Sequence, residues 1–387
     1  MNYNFDEIIN RENTNCIKWD LRESVFGRAD VLPAWVADMD FRTPDFVMNA
    51  IREKAEHEIM GYVFRPQSFF DSVRDWLKRR NGWQTDSKDM VFTPGIVPAL
   101  NFSVEVFTDK GDKVVIQPPV YTPFFGAIKD HERELIENPL VEKDGYYTID
   151  FEDMERKLAN NAKMFILCNP HNPVGRVWTK EELLQIGNLC VKHNVLIISD
   201  EIHCDLVFKP NKHIHIASLS DQIAQLTLTC LAPSKTFNMA GFATSIAHSA
   251  NSEILKKFNS FIERYHLNMG NIFGNIAFEA AYKYGDDWLD QLLDYVKANM
   301  EYVEAFLKEN MPEIRTRKNE GTYLMWLDFK AFNLKDSDLN DMLINKAGLG
   351  LNSGIMFGLE GKGFMRLNVA CPRATLEKVM KQLLTIK

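Results

Sequence analysis

Short apolar segments alternate with amphipathic helical segments through the central part of the chain, and this alternation restricts the possible folds more than any other feature. The strands that it predicts cover residues 113–116, 163–167, 195–199, 226–231 and 242–247. A helix is predicted over 179–193, where Thr179 and Glu182 have the spacing of a capping box. Strands separated by helices are typical of α/β proteins with a largely parallel sheet.

The C-terminal part of the chain has a different pattern. It predicts a long helix over 288–310, a strand over 322–329, a helix over 337–346, a strand over 364–369 and a final helix. This order is typical of an α+β arrangement and indicates a second, smaller domain. We therefore predict a large domain over 46–284 and a small domain made of 1–45 and 285–387.

Composition and charge argue against several classes of protein. The chain has 387 residues and a net charge of −8, which disfavours nucleic acid and anionic membranes as partners. Its apolar runs are too short to span a bilayer, and the N-terminus lacks the basic and apolar regions of a signal peptide. The six cysteines are scattered without a C-x-x-C pair, so we expect a cytoplasmic protein without disulfides or a bound metal.

Several predicted strands are followed directly by polar residues. In open α/β sheets, ligands bind at this position, beyond the carboxyl ends of the strands. Asn172 follows 163–167, Asp200 and His203 follow 195–199, Ser234 and Lys235 follow 226–231, Tyr121 follows 113–116, and a turn with Gly95 precedes a predicted helix. Because parallel strands end at the same edge of a sheet, we expect these side chains to lie close together.

These residue types fit the needs of pyridoxal phosphate. The cofactor takes a lysine amine for its Schiff base and an acid opposite its pyridine nitrogen, which keeps the ring able to accept electrons. Amides in a turn or at a helix N-terminus hold its phosphate, and an aromatic side chain covers its ring. The set predicts a pyridoxal phosphate site around Lys235, with Asp200 as the acid.

Each residue also has a simpler interpretation when it is taken alone. Lys235 could be a solvated surface lysine, and Asp200 could cap a helix. Asn172 could stabilise a turn, and Gly95 could only provide a positive φ. Tyr121 could be a packing residue, and His203 could have no role. The functional interpretation depends on the whole set and its order along one sheet edge.

The chain resembles fold-type I enzymes of the aspartate aminotransferase superfamily. The motifs that carry this resemblance are N-P-H-N-P-V-G at 169–175, S-D-E-I-H at 199–203 and P-S-K-T-F-N-M-A-G at 233–241. Further motifs resemble the MalY/PatB-type cystathionine β-lyases, or C–S lyases: K-W-D at 18–20, W-V-A-D-M-D-F at 35–41, G-Y-V-F-R-P at 61–66 and F-M-R-L-N-V-A-C-P-R at 364–373. The resemblance extends from about residue 5 to the C-terminus.

The resemblance implies a role for each matching position around the cofactor ring. Lys235 would form the Schiff base, Asp200 would pair with the pyridinium nitrogen, and Tyr121 would stack on the ring. Asn172 and His203 would hold the 3-oxygen of the ring. Many aminotransferases have tyrosine where this chain has His203, and an imidazole can also donate a hydrogen bond to that oxygen.

The resemblance also implies contacts to the phosphate and the substrate. The phosphate would bind to the amides of Gly95, Ile96 and Val97, to the hydroxyl of Ser234, and to Tyr62 from a neighbouring subunit. The last contact implies a homodimer with shared active sites. Arg366 would bind the substrate α-carboxylate, with Asn172 beside it, and Trp35 and Ala37 would line the substrate entrance.

One departure favours the lyase branch within this superfamily. Aminotransferases usually carry a phosphate-binding arginine eight residues after the lysine, whereas this chain has Ala243 there. The expected activity is cleavage of L-cystathionine or a related cysteine S-conjugate to pyruvate, ammonia and a thiol. The alternatives are an aminotransferase, which shares the same early chemistry, and a regulatory binding protein built on the same fold.

Overall fold

The computed structural model describes residues 2–387 as a mixture of helices and short strands. The α-helices are α1 Ile17–Asp20, α2 Arg22–Phe26, α3 Asp45–Glu56, α4 Gln67–Asn81, α5 Ile96–Phe107, α6 Pro123–Lys129, α7 Phe151–Ala159, α8 Lys180–His193, α9 Asp221–Gln225, α10 Ser252–Arg264, α11 Ile272–Tyr284, α12 Asp286–Asn310, α13 Asp336–Asp341 and α14 Arg373–Leu383. The strands are β1 Leu32–Pro33, β2 Met90–Thr93, β3 Lys113–Ile116, β4 Glu134–Glu137, β5 Val141–Lys143, β6 Tyr146–Thr148, β7 Ala162–Cys168, β8 Leu196–Asp200, β9 Thr227–Leu231, β10 Ser245–His248, β11 Arg315–Thr316, β12 Leu324–Asp328, β13 Leu349–Gly350, β14 Asn352–Ser353 and β15 Phe364–Asn368.

The largest sheet within residues 2–387 has seven strands in the order β2-β10-β9-β8-β7-β3-β4. The strands from β9 to β4 are parallel, and β10 runs antiparallel to both β9 and β2. Helices connect the parallel strands, so both faces of the sheet are covered. This mostly parallel sheet confirms the α/β prediction.

Neighbouring residues of the central strands point into separate cores on the two faces of the sheet. Ile198 of β8 packs in one core with Ile166 of β7, whereas Ile197 packs in the other with Phe165. All four side chains are buried. A strand alternates its side chains between two faces, so a sheet covered on both sides requires continuous apolar runs.

The C-terminal part forms a second, antiparallel sheet of four strands in the order β11-β12-β15-β14. The N-terminal segment joins this region because β1 pairs with β13, with Leu32 opposite Leu349. The pair forms a separate two-stranded sheet, and the Asn368 amide of β15 donates to the Ala34 carbonyl at 3.0 Å, so the N-terminal segment also contacts the four-stranded sheet. The domain boundaries given above stay a prediction.

The predicted elements agree with the structure except at some ends. Thr179 and Glu182 form the predicted capping box at the start of α8. The strand predicted over 242–247 was placed too early, because residues Ala240–Phe242 form a 3-10 turn and Ala243 has a φ of 45°. The sequence analysis also missed β2 and β4, and β4 carries a glutamate at each end.

The longest helix, α12, carries charged residues along its whole length. It has 25 residues, but aspartate, glutamate and lysine recur along it. Among residues 2–387, no helix combines the length and the apolar character needed to cross a membrane.

Gly354 lies where two backbone segments come into close contact just before β15. An added Cβ at Gly354 would overlap the carbonyl oxygen of Gly361 and lie 2.7 Å from that of Phe364. Because both obstacles are backbone atoms, we expect Gly354→Ala to lower the free energy of unfolding by about 3 kcal/mol in urea titrations. Gly241→Ala is the control, since an added Cβ there meets nothing within 4 Å. Equal unfolding midpoints for the wild type and Gly354→Ala would contradict this explanation.

Candidate active site

A cavity of about 220 Å³ lies at the carboxyl ends of β7, β8 and β9. Ten of the predicted site residues line it: Ala37, Gly95, Ile96, Val97, Tyr121, Asn172, Asp200, His203, Ser234 and Lys235. The parallel register explains this convergence, because Cys168 at the end of β7 pairs with Asp200, and Asp200 pairs with Cys230 in β9. The structure therefore brings together residues that are far apart in the sequence.

Lys235 projects into the cavity from the turn after β9. Its Nζ donates a hydrogen bond to the carbonyl oxygen of Ala37, at 2.6 Å. Burial, followed by the positive charge of Arg366, lowers the pKa of the Lys235 amine to about 8. A sizeable fraction of this amine is therefore neutral in mildly alkaline solution, as a nucleophile or a base must be.

Asp200 is the last residue of β8 and is buried. Its carboxylate accepts a hydrogen bond from the Ile202 amide at 3.1 Å, but burial still raises its pKa to about 7. The adjacent Glu201 acts in the same direction, because its negative charge disfavours a second one nearby. A carboxyl group in this environment favours a cationic partner such as a protonated pyridine nitrogen.

Two histidines contact the Glu201 carboxylate and favour its ionised form. It accepts a hydrogen bond from His213 Nε2 at 2.8 Å and a second one from His215 Nδ1. Burial alone would raise its pKa, but His215 and His213 together lower the pKa of Glu201 to about 2. The buried carboxylate behind Asp200 is thus held by two histidine contacts.

His203 and Asn172 face the cavity from neighbouring connections. Burial, with the positive charges of Lys235 and Arg366, lowers the pKa of His203 to about 3, so its imidazole is neutral. Among residues 2–387, His203 Nδ1 is buried without a hydrogen-bond partner. A buried, unpaired ring nitrogen beside an amide suits a polar ligand atom at this position.

Gly95 and the start of α5 form the opposite end of the cavity. Gly95 has a φ of 125°, a conformation that other residues rarely adopt, and its amide donates to Ser245 Oγ at 3.0 Å. Ile96 and Val97 follow as the first two residues of α5. Their amides have no partner within the helix and, with the helix dipole, favour an anion such as phosphate. The Gly95 amide, which we predicted to bind the phosphate, is already used by Ser245.

Arg366 comes from β15 of the small sheet and connects it to this site. Its Nη1 donates to Asn172 Oδ1 at 3.1 Å, and its Nη2 donates to Asn352 Oδ1 at 2.6 Å and to the Trp35 carbonyl at 3.0 Å. Its guanidinium also lies 4.9 Å from the centre of the Phe357 ring. Burial lowers its pKa to about 10, so it remains charged, and its Nε has no partner among residues 2–387. The unpaired Nε–H and the second N–H of Nη1 suit a substrate carboxylate.

Two predicted residues lie differently from the rest. Tyr62 is 95% exposed, away from the cavity of its own chain. Trp35 contributes its carbonyl to Arg366, while its indole Nε1 donates to the Lys18 carbonyl at 3.1 Å. The ring therefore packs against the N-terminal segment instead of lining the cavity.

The sequence analysis missed three residues at the site, namely Thr244, Tyr323 and Asn352. Thr244 lines the cavity next to Ala243, and the Tyr323 hydroxyl donates to the Ala37 carbonyl at 2.9 Å. Asn352 holds Arg366. Threonine, tyrosine and asparagine are common in short strands and turns, so only Thr244 had a sequence signal, its position beside the missing arginine.

The residues present fit pyridoxal phosphate. Lys235 and Asp200 offer the amine and the acid, and the α5 N-terminus offers amides for the phosphate. The unpaired His203 Nδ1 would find a partner in the 3-oxygen of the ring. The half-buried Tyr121 provides the aromatic face.

The raised pKa of Asp200 predicts how the cofactor-free protein responds to pH. A carboxyl whose pKa rises from 3.8 to about 7 on folding contributes stability below pH 4 that is lost as the pH rises through 7. Asp200→Asn removes this loss of stability. Above pH 7 the free energy of unfolding of the cofactor-free variant should therefore exceed that of the wild type by up to about 4 kcal/mol. Urea unfolding at several pH values measures the gap, with the exposed Asp341→Asn as the control. A gap that does not shrink toward pH 4 would be inconsistent with this cause.

Comparisons with known proteins agree with this geometry. The family model "Aminotransferase class I and II" matches residues 36–383. Cystathionine beta-lyase PatB of Bacillus subtilis is 45% identical over 381 residues, which are 98% of each chain.

Two solved structures that contain pyridoxal phosphate have the same fold over the whole chain. Cystalysin from Treponema denticola has a TM-score of 0.96 at 37% identity, covering 100% of this chain and 99% of its own. The C-S lyase from Staphylococcus hominis has a TM-score of 0.92 at 34% identity, covering 100% and 98%. The chain therefore belongs to the aminotransferase class I and II family of pyridoxal phosphate-dependent enzymes, with the fold-type I architecture that its motifs predicted.

Proposed function

We propose that the chain is a pyridoxal phosphate-dependent C–S β-lyase that cleaves L-cystathionine or a related cysteine S-conjugate. The observation that carries the cofactor chemistry is the meeting of the Lys235 amine, the Asp200 carboxyl and the Arg366 guanidinium at one buried site. The choice of a β-lyase rests on the 45% identity to a cystathionine beta-lyase over nearly the full chain. The products are pyruvate, ammonia and a thiol.

Bound pyridoxal phosphate would supply an electron sink for negative charge on the substrate α-carbon. Arg366 binds the α-carboxylate through its unused donors and fixes the orientation of the substrate. Lys235, with its lowered pKa, takes the α-proton as a general base. The electron pair left on the α-carbon then forms a double bond to the β-carbon as the thiolate leaves, and water completes the conversion to pyruvate and ammonia.

Ala243 supports the lyase over an aminotransferase. It lines the cavity beside Thr244, at the position where aminotransferases usually carry an arginine for the phosphate. With no guanidinium there, the phosphate depends on the α5 amides and on hydroxyls such as those of Ser234 and Thr244. The two reactions share the removal of the α-proton and differ in where the electrons go next.

The proposal requires that Lys235→Ala loses turnover together with the visible absorbance of the bound cofactor. We expect kcat for L-cystathionine to fall by about 10⁴-fold or more, because the α-proton loses its base and the cofactor loses its anchor. Lys110→Ala, at an exposed lysine paired with Glu132, is the matched control and should keep full activity. A Lys235→Ala enzyme with near-normal activity would refute the assignment.

The same preparation separates a lyase from an aminotransferase. Wild-type holoenzyme is incubated with L-cystathionine and no added 2-oxo acid. Pyruvate, ammonia and a free thiol in equal amounts over many turnovers support the lyase. Product that forms only when a 2-oxo acid is supplied would assign the chain to transamination instead.

We further infer that two copies form a homodimer that shares its active sites. Ile59, Tyr62 and Phe64 are 67%, 95% and 83% exposed, which leaves apolar surface in water on a single chain. Arg65 ties this segment to the Met269 carbonyl at 2.7 Å, and Leu267 and Met269 are exposed beside it. A second copy would cover this surface and bring Tyr62 to the phosphate of its partner.

If Tyr62 reaches the partner's phosphate, Tyr62→Phe should weaken cofactor binding by about tenfold without dissociating the dimer, since one hydrogen bond to a charged group is lost. Cofactor affinity is measured by absorbance titration, and the oligomeric state by sedimentation. Tyr284→Phe serves as the control, because Tyr284 is an exposed tyrosine elsewhere on the chain. A monomer in sedimentation, or equal affinities for both variants, would rule out the shared site.

We also propose a cytoplasmic location, with which the six free cysteines are compatible.

A further inference from the structure

Arg11 and three charged residues from the two N-terminal branch motifs, Lys18, Asp38 and Asp40, form one ion network beside the active site. Lys18 Nζ lies 2.7 Å from Asp40 and 3.7 Å from Asp38. Arg11 binds the same two carboxylates, with Nη2 2.6 Å from Asp38 and Nη1 2.7 Å from Asp40. Two cations and two anions thus alternate, and their charges cancel.

The network is held at the protein interior. The side chains of Lys18 and Asp40 are only 2% and 8% exposed. Burial alone would neutralise both, but each holds the other in the charged form, so the pKa of Asp40 is lowered and that of Lys18 is raised. Trp19 adds a hydrogen bond from its indole nitrogen to Asp40, at 3.2 Å.

A buried ion network of this kind contributes little to stability on average, because desolvation of the charges offsets their attraction. Its main effect can instead be to favour one conformation of the chain segments that carry the charges. The segment that this network selects is 35–39, which contains Asp38 and precedes Asp40.

The carbonyl groups of residues 35–39 contact the reactive residues of the site. The Trp35 carbonyl accepts from Arg366 at 3.0 Å, and the Ala37 carbonyl accepts from Lys235 at 2.6 Å. Asn368 Nδ2 donates to the carbonyls on either side of Ala37, at 2.6 Å each. A shift of this segment would therefore move the acceptors of the proposed base and of the carboxylate-binding guanidinium together.

We propose that Arg11, Lys18, Asp38 and Asp40 are positioning residues, which fix the backbone of 35–39 and through it orient Lys235 and Arg366 toward the substrate. The proposal rests on the function proposed above. It gives a physical role to K-W-D at 18–20 and W-V-A-D-M-D-F at 35–41, which meet in this network. The Trp35 indole also donates to the Lys18 carbonyl at 3.1 Å, which adds a second contact between the two motifs.

The test compares holoenzymes that carry Lys18→Met or Asp38→Asn. Lys18→Met removes the buried cation. Asp38→Asn, at a side chain that is 20% exposed, keeps the Lys18–Asp40 pair and is the variant to use if Lys18→Met does not fold. Arg42→Gln is the matched control, because the Arg42–Glu7 pair also ties down the N-terminal segment but is 64% and 37% exposed.

The measurements are kcat and KM for L-cystathionine per cofactor-loaded site, and the dissociation constant of glycine from the change in visible absorbance. Glycine has the carboxylate and the amine but no β-leaving group, so its binding reports on Arg366 without the lyase reaction. For Lys18→Met we expect a rise of about tenfold in KM and in the glycine constant and a fall of about tenfold in kcat, as for misplaced catalytic groups. For Asp38→Asn we expect changes in the same direction of about threefold, and for Arg42→Gln no change.

A purely structural role would lower the melting temperature or the loaded fraction but leave the constants per loaded site unchanged. Constants within twofold of the wild type in every variant that folds would therefore overturn the proposal. Failure of the proposed function would look different, since the wild type itself would then produce no pyruvate from L-cystathionine. The glycine constants would still decide whether the network positions Arg366.

Discussion

The in-register parallel pairing of β7, β8 and β9 is the constraint on which the site depends. It aligns the ends of the three strands, so that the residues following them meet at one edge of the sheet. Asp200 sits at the end of the central strand, with the connection to Asn172 on one side and the turn to Lys235 on the other. This arrangement requires strands that are buried on both faces, and the continuous apolar runs of the sequence provide them.

The site is also a balance of buried charges. Burial and the charge of Arg366 lower the pKa of Lys235, burial lowers the pKa of Arg366, and burial and Glu201 raise the pKa of Asp200 to about 7. Two histidines in turn contact Glu201 and lower its pKa. A charged cofactor with a cationic ring and an anionic phosphate would complement the acid at one end and the helix N-terminus at the other. The protein is thus prepared for a ligand that supplies the missing opposite charges.

Much of this could be predicted from residue order alone. The alternation of apolar runs predicted the α/β sheet, and the polar residues after the strands predicted Lys235, Asp200, Asn172 and Tyr121 at one edge, because the geometry of parallel strands is local and repetitive. The motifs then predicted the family, which the comparisons confirmed. The strands β2 and β4 were missed, and β4 has a glutamate at each end that interrupts its apolar pattern, whereas Ala243 was misplaced in a strand because its positive φ has no sequence signature.

The sequence by itself determined the fold class, the family and the chemical types at the site, because hydrophobic period and motif spacing are written in neighbouring residues. Only the tertiary structure decided how distant segments meet. It placed Arg366 of the small sheet against Asn172, turned the Trp35 ring toward Lys18, and joined Arg11 and the charges of two separate motifs into one network. These contacts join residues separated by up to 194 positions, and their geometry depends on the packing of both sheets, which no local pattern encodes.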